Sequence, residues 1–300
     1  AYGHALEAEA GINENIVALD ADISRATQSA FLKNRYPDRY FEMGIAEQNM
    51  MSVGAGLAIG GKIPFVNSFA VFLTLRAVDQ FRQSACTGNV NVKVCASSCG
   101  LSDFGDGSSH QSVEDIAIMR AFPNVTVLSP ADHVQCYNMV HAMAQHYGPM
   151  YLRINRNVVP VVTPEDEGFE IGKIYQKREG RDIAIFATGI MVKRALDAAE
   201  ALEKHGVSAR VLNVSTIKPI DREAVIAYAK DVKAVVTAEE HSVIGGLGSA
   251  IAEALRKNPV KMDFVGIQDK FGTSAMDYDV LLAHYGLTAG DIEKTALSLL

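Results

Sequence analysis

Short apolar runs alternate with helix-length segments along the 300 residues, and no other feature limits the fold so tightly. Ile16 to Asp20, Ile63 to Val66, Val90 to Ala96 (which alternates), Val125 to Leu128 and Met150 to Ile154 read as strands. Between them Ala46 to Gly60, Val71 to Cys86, Ser112 to Ala121 and Ala131 to His146 read as helices. Thr87-Gly88 ends the second and Pro123 stops the third. Strands joined through helices of this length cannot pair as hairpins; they require crossovers and a mostly parallel sheet. Val158 to Gly172 breaks the rhythm with Pro160, Pro164 and the acidic run Glu165-Asp166-Glu167, a linker composition. A second series follows: strands Ile183 to Ala187, Ala209 to Val214, Ala234 to Ala238 and Asp263 to Ile267. Helices Val192 to His205, Arg222 to Lys230 and Leu247 to Lys257 separate them, and short helices near Tyr278 to His284 and Ala289 to Leu300 close the chain. The expected fold is α/β, with two three-layer domains, each a mostly parallel sheet flanked by helices. Their expected bounds are 1–165 and 181–300, with a linker at 166–180.

A hydrophobic share of 48% and a charged share of 21% supply ample core for two such domains. Net charge is −7 with no basic tract, which argues against nucleic acid and anionic membrane as partners. Cys86, Cys95, Cys99 and Cys136 lack zinc-type pairing and read as reduced thiols. With no signal peptide or membrane-length apolar span, a cytoplasmic location is expected.

The stretch Phe41-Glu-Met-Gly-Ile-Ala-Glu-Gln-Asn-Met50 organises the first half. Gly44 permits a tight turn, and Glu47 then falls in the first turn of a small-residue helix. The positive end of the helix dipole favours a charged carboxylate there; burial favours the neutral form. A glutamate between those influences is a candidate proton donor to a ring nitrogen, although a helix-start role alone also accounts for it. In open parallel sheets, ligands bind beyond the carboxyl ends of the strands. Asp22, Phe69, Asp106, His110 and Arg156 all follow expected strands, so one sheet edge collects acidic, aromatic, imidazole and guanidinium groups.

Two glycine patterns suggest nucleotide binding without meeting its requirements. Gly54-Ala55-Gly56 lies inside a helix and suits close packing. Gly245-Gly246-Leu247-Gly248 follows a strand and opens a helix, which could hold an anion, but it lacks the third glycine of the dinucleotide fingerprint. Gly105-Asp106-Gly107 with downstream Asn138 imitates the metal motif of thiamine diphosphate enzymes. Asn138, however, is placed mid-helix rather than on a loop, so the triplet is not read as a metal site.

Four motifs stand in order on matching elements: Gly44-Ile-Ala-Glu-Gln-Asn-Met50, Asp106-Gly-Ser-Ser-His-Gln111, Phe122-Pro-Asn124 and Ser129-Pro-Ala-Asp132. Through them the first domain resembles the pyrimidine-binding domain of transketolase, and the second resembles transketolase's C-terminal domain. The N-terminal diphosphate-binding domain has no counterpart here. The resemblance therefore implies the C-terminal subunit of a split transketolase that moves a two-carbon ketol unit from a ketose to an aldose. It implies thiamine diphosphate as cofactor, with Mg2+ or Ca2+ held by an N-terminal partner subunit, in a dimer of heterodimers.

Position by position, the resemblance gives Glu47 the hydrogen bond to N1′ of the aminopyrimidine. Phe69 and Phe72 match aromatics around that ring, although two phenylalanines three apart on a helix could equally be core. Asp22 and Ile23 match the lining of the cofactor cleft. Asp106 and His110 match groups that contact sugar hydroxyls, and Arg156 matches an arginine for the substrate's terminal phosphate. Histidine changes charge within the working pH range, and its neutral form suits hydrogen bonding to substrate oxygens. A proton shared between Glu47 and N1′ lets the cofactor act as its own base. One position departs from the pattern: Ser98 stands where transketolase carries a phosphate-binding histidine, and Asp103-Phe104 replace small residues. A preference for a ketose without a terminal phosphate is therefore expected, unless the partner subunit or a shifted loop residue supplies the missing cation. The β-subunit of a 2-oxo-acid dehydrogenase shares the Gly-Ile-Ala-Glu-Gln stretch, but the Asp106 to Gln111 loop favours transketolase. Deoxyxylulose-phosphate synthase normally holds all three domains in one chain. A silent scaffold subunit would not need Glu47, His110 and Phe72 together.

Overall fold

A computed structural model describes residues 1–300. The first half begins with α1 (Tyr2–Ile12), β1 (Ile16–Asp20), α2 (Ser24–Thr27), α3 (Ala30–Arg35), β2 (Tyr40–Glu42), α4 (Glu47–Ile59) and β3 (Ile63–Phe69). Then come α5 (Val78–Gln80), β4 (Lys93–Ser97), α6 (Asp115–Ala121), β5 (Thr126–Leu128), α7 (His133–Gln145) and β6 (Met150–Arg153). The second half holds β7 (Tyr175–Arg178), β8 (Ile183–Ala187), α8 (Met191–Glu203), β9 (Ala209–Asn213), β10 (Thr216–Lys218) and α9 (Arg222–Ala229). It ends with β11 (Ala234–Ser242), α10 (Leu247–Leu255), β12 (Lys261–Ile267), α11 (Tyr278–His284) and α12 (Ala289–Leu299). No helix is long and apolar enough to cross a membrane.

Two sheets result, in the orders β10-β5-β6-β4-β3-β1-β2 and β12-β11-β8-β9-β7. Every pairing is parallel except those of the edge strands β10 and β7. Strands β1, β4, β6 and β8 are buried along their whole length, as parallel strands covered on both faces must be. That cover explains why β4 is not the alternating strand expected from Val90: it starts at Lys93, and both its faces meet helices. Gly54 works as read, since a Cβ there would stand 2.9 Å from Val66 on β3.

Three differences from expectation have physical causes. The single helix expected over Val71 to Cys86 is instead two wide π-helical segments, Phe72–Arg76 and Phe81–Cys86, around the short α5. Such segments re-aim side chains and collect at functional sites. The expected linker 166–180 contains β7, the antiparallel edge of the second sheet. And β10, from the second half, pairs with β5 to close an edge of the first sheet, so the halves exchange a strand rather than meeting at a hinge.

A buried polar seam joins the halves. Arg153 at the end of β6 donates from Nε to Asp115 Oδ2 (2.8 Å) and from Nη2 to the Glu240 carbonyl (2.7 Å). Tyr151 donates to the same Asp115 oxygen at 2.8 Å. Next on β11, Glu239 accepts the amides of Leu247 (2.6 Å) and Gly248 (2.8 Å). The Gly245 to Gly248 turn therefore receives its anion from within the chain. Burial pushes Glu239 up to about 7 against the pull of those two amides. His241 accepts from the Ala117 amide at Nε2 (3.3 Å), and its Nδ1 faces the Ser242 carbonyl (2.7 Å). Burial lowers it to about 4 and keeps it neutral.

These neighbours give opposite pH dependences. Glu239 is raised, so its contribution is full below the unfolded value of 4.5 and is lost as pH rises through about 7. His241 is depressed, so its contribution is full above 6.5 and is lost as pH falls through about 4. In urea denaturation across that window, Glu239→Gln should leave stability rising with pH, and His241→Gln should leave it falling. Each slope should span about 1–3 kcal/mol. Parallel slopes in the two variants would show that the seam does not titrate this way.

Candidate active site at the carboxyl edge of the first sheet

Each candidate side chain stands beyond the carboxyl end of a strand of the first sheet. After β1, Asp22 takes a left-handed backbone (φ 65°), and its amide donates to Glu42 at 2.8 Å. The turn is pinned from below by buried Asp20, which accepts from the Ile23 amide (2.8 Å), Thr27 (2.6 Å) and Ser29 (2.8 Å). After β2, Gly44 turns at φ 66°, and Glu47 opens α4 as its first residue with 2% of its surface exposed. Phe69 ends β3, and Phe72 begins the first π-helical segment. After β4, Ser98 is buried in a left-handed conformation (φ 56°), and its hydroxyl has no partner. The same loop carries Asp103, Asp106 and His110. After β6 comes Arg156.

Five of these, Glu47, Phe69, Phe72, His110 and Arg156, come together with Arg76 and Asp103. The Phe69 and Phe72 rings stack at 6.0 Å, and His110 meets both edge-on at 6.1 and 5.5 Å. At one end the Arg76 guanidinium lies 4.3 Å above the Phe72 ring, and its Nη1 donates to both Glu47 oxygens (2.9 and 2.8 Å). At the other end Arg156 approaches Phe69 at 6.0 Å and donates from Nη1 to Asp103 Oδ2 at 2.7 Å. His110 Nδ1 is engaged by Ser109 Oγ at 3.0 Å, which leaves Nε2 for a ligand. The line thus runs carboxylate, cation, two rings, cation, carboxylate.

Asp22, Ile23, Ser98 and Asp106 do not touch that line. Asp22 and Asp106 are exposed around it, and Ile23 is half-buried. Arg76 was not singled out from the sequence, although it lies four residues beyond Phe72 and so on the same helical face. Asp103 was noted only as a departure in the loop, not as the partner of Arg156. Asn138 lies within α7 and donates to the Glu167 carbonyl at 3.0 Å, away from the Gly105-Asp106-Gly107 triplet. No group of three or more His, Cys, Asp or Glu is placed to hold a metal ion.

With that geometry in view, two family profiles cover nearly the whole chain. Residues 1–161 match "Transketolase, pyrimidine binding domain" and residues 172–292 match "Transketolase, C-terminal domain". The chain belongs to the transketolase family. It is 44% identical to the 6-deoxy-6-sulfo-D-fructose transketolase subunit SqwH of Clostridium sp. (strain MSTE9), over 95% of this chain and 88% of that one. It is 36% identical to human transketolase, over 86% of this chain but 42% of that one. A solved structure described as a split gene transketolase, inactive beta4 tetramer, superposes with a TM-score of 0.91 at 44% identity. That match covers 99% of this chain and 96% of the other. The chain therefore corresponds to the C-terminal section of a transketolase, not to a 2-oxo-acid dehydrogenase β-subunit.

The family implies thiamine diphosphate, and the residues present fit its pyrimidine half. The Arg76 guanidinium, a flat nitrogen-bearing group, already makes the two contacts such a ring needs: stacking on Phe72 and hydrogen bonding to Glu47.

Glu47 is almost wholly buried while Arg76 keeps 44% of its side chain exposed, so loss of the cation leaves a buried carboxylate poorly satisfied. Arg76→Ala should cost about 1–2 kcal/mol in urea denaturation, a figure reduced for the guanidinium's exposure. Adding Glu47→Gln should restore much of it, because the amide carries no charge. Strictly additive losses in the double variant would show that the pair is not coupled.

Proposed function

We propose that this chain is the pyrimidine-binding subunit of a two-subunit transketolase, passing a two-carbon ketol unit from a ketose to an aldose. The observation that carries the reading is the Glu47–Arg76–Phe72–Phe69 line with His110 against both rings. Thiamine diphosphate, when bound, supplies the electron sink for breaking and remaking the carbon–carbon bond.

The chain's own residues have distinct tasks. The Glu47 carboxylate holds a proton shared with the pyrimidine ring nitrogen, in a site that keeps water away. Phe69 and Phe72 bind and orient the ring through their faces. His110, with Nδ1 directed at Ser109, presents Nε2 to a substrate oxygen. Asp106 and Asp22, exposed on neighbouring loops, contact sugar hydroxyls and the cleft wall, Ile23 packs against the cofactor, and Ser98 and Arg156 serve the substrate's far end. The domain division expected at 1–165 and 181–300 places this entire set in the first domain.

A partner that holds the diphosphate and Mg2+ or Ca2+ completes the site, and a dimer of heterodimers is the natural assembly. Phe41, Ile45 (75% exposed) and Leu75 (48%) are apolar and exposed on the segments that carry Glu47 and Arg76, and offer a seat for it. The 44%-identical structure is described as an inactive beta4 tetramer of a split gene transketolase, which supports the same reading.

Purified alone, the chain should show no ketol transfer. Mixed with its N-terminal partner, thiamine diphosphate and Mg2+, it should convert ketose and aldose pairs. Full activity from this polypeptide by itself overturns the two-subunit reading. In the complex, Glu47→Gln should keep the circular dichroism spectrum and lower turnover on the order of 10²-fold or more. Retention of more than about a third of the rate would reduce Glu47 to a helix-start residue.

A further inference from the structure

Arg156 also lines a cavity of about 590 Å³ between α2 and the loop after β6, together with Arg25, Ser97, Asn155 and Asn157 among others. Its charge is set by few groups. Asp132 also lines it and keeps its charge, its carboxylate held by backbone amides: Oδ1 accepts that of Gln135 at the start of α7, and Oδ2 accepts those of Val162 and Thr163. Arg25 is exposed, whereas Arg156 is held by Asp103 at 2.7 Å. Asp103 is 3% exposed, and water screens it poorly. Arg25 and Arg156 thus stand against two buried carboxylates, Asp103 and Asp132, with Ala1 and His133 also on the lining.

We infer that Asp103 is a specificity-determining residue, and that through Arg156 it fits the cleft to a ketose whose far end carries one negative charge rather than a dianionic phosphate ester. This rests on the transketolase reading above. Asp103 takes one Nη1 hydrogen of Arg156, and the Nη2 and Nε donors remain for an anion. Any anion bound to Arg156 also lies within a few ångströms of the buried Asp103 carboxylate, and that repulsion doubles for a dianion. A sulfonate has a single charge with three acceptor oxygens. It can use Arg25 and the remaining Arg156 donors with half the repulsion.

The test uses the complex with the N-terminal partner, thiamine diphosphate and Mg2+. Catalytic efficiency is compared for xylulose 5-phosphate and a ketose with a terminal sulfonate. The wild type should favour the sulfonate by about tenfold or more. Asp103→Asn, isosteric but uncharged, should narrow that preference by about tenfold through the KM for the phosphate ester, and Asp103→Ser should do the same. Calorimetric titration of the complex with methanesulfonate and with methyl phosphate reads the same selectivity without turnover. A wild-type preference for phosphate, or an unchanged ratio in both variants with circular dichroism intact, overturns the assignment. If no ketose is turned over while the anion selectivity persists and depends on Asp103, the assignment stands and the transketolase reading falls.

Discussion

The buried pairing of Arg153 with Asp115 is the joint on which the rest of the molecule depends. Both side chains are almost wholly removed from water. Removing one partner of such a pair costs about 3–5 kcal/mol, because the other charge is stranded. That is a large part of the roughly 5–15 kcal/mol by which a folded protein is stable. The pair stands at the end of β6 and touches β11 through the Glu240 carbonyl, so it locks the two sheets in one orientation. Its position is also functional, since Arg156 follows three residues later on the same strand end.

From that joint the second domain builds the site without contributing a residue to the aromatic line. The Glu240 carboxylate accepts the Leu101 amide and the Tyr278 hydroxyl (2.8 and 2.7 Å), and so suspends the loop that carries Ser98, Asp103, Asp106 and His110. Gly100 passes so close that a Cβ would lie 2.5 Å from Glu240 Cδ, and its φ of +58° also demands glycine. Further along, Gln111 donates to the Thr273 carbonyl (3.0 Å), and the Ala275 amide donates to the Phe104 carbonyl (2.8 Å). A loop of polar and small residues has little core of its own to hold it. Here the C-terminal domain supplies the missing supports, which explains why a domain remote from the chemistry remains attached to the pyrimidine-binding half.

The strands of both sheets were legible because a parallel strand covered on both faces shows as a plain apolar run, and Ile183 to Ala187 was read to the residue. The place of Glu47 in the first turn of α4 was legible because its glycine turn and helix start lie side by side in sequence. The edge strands β7 and β10 were not: four and three residues give no periodic signal, and β10 leaves its own domain to pair with the other. The wide turns between Phe72 and Cys86 were hidden as well, because a π-helical segment uses the same residues as an ordinary helix. Arg76 was missed for that reason, since its approach to Glu47 is a contact between segments 29 residues apart.

The two ends of the aromatic line show how much of a site's character lies in such long-range pairs. Each end is an arginine that is more than two-fifths exposed, bound to a carboxylate that is all but buried, and set against a phenylalanine. The carboxylate fixes each guanidinium, which would otherwise sample many rotamers at a solvent-facing position. The ring offers its negative face to the cation. The cleft is therefore organised before any ligand arrives, and little side-chain ordering is left for binding to supply. The two arginines nevertheless differ in consequence. At Arg76 the buried partner is Glu47, which in the proposed function meets the cofactor, so a ligand that binds it displaces or shares the cation. At Arg156 the buried partner is Asp103, which under the specificity inferred above acts as a fixed charge beside the substrate's far end. On that reading the same three-part arrangement gives an exchangeable contact at one end and a fixed charge at the other.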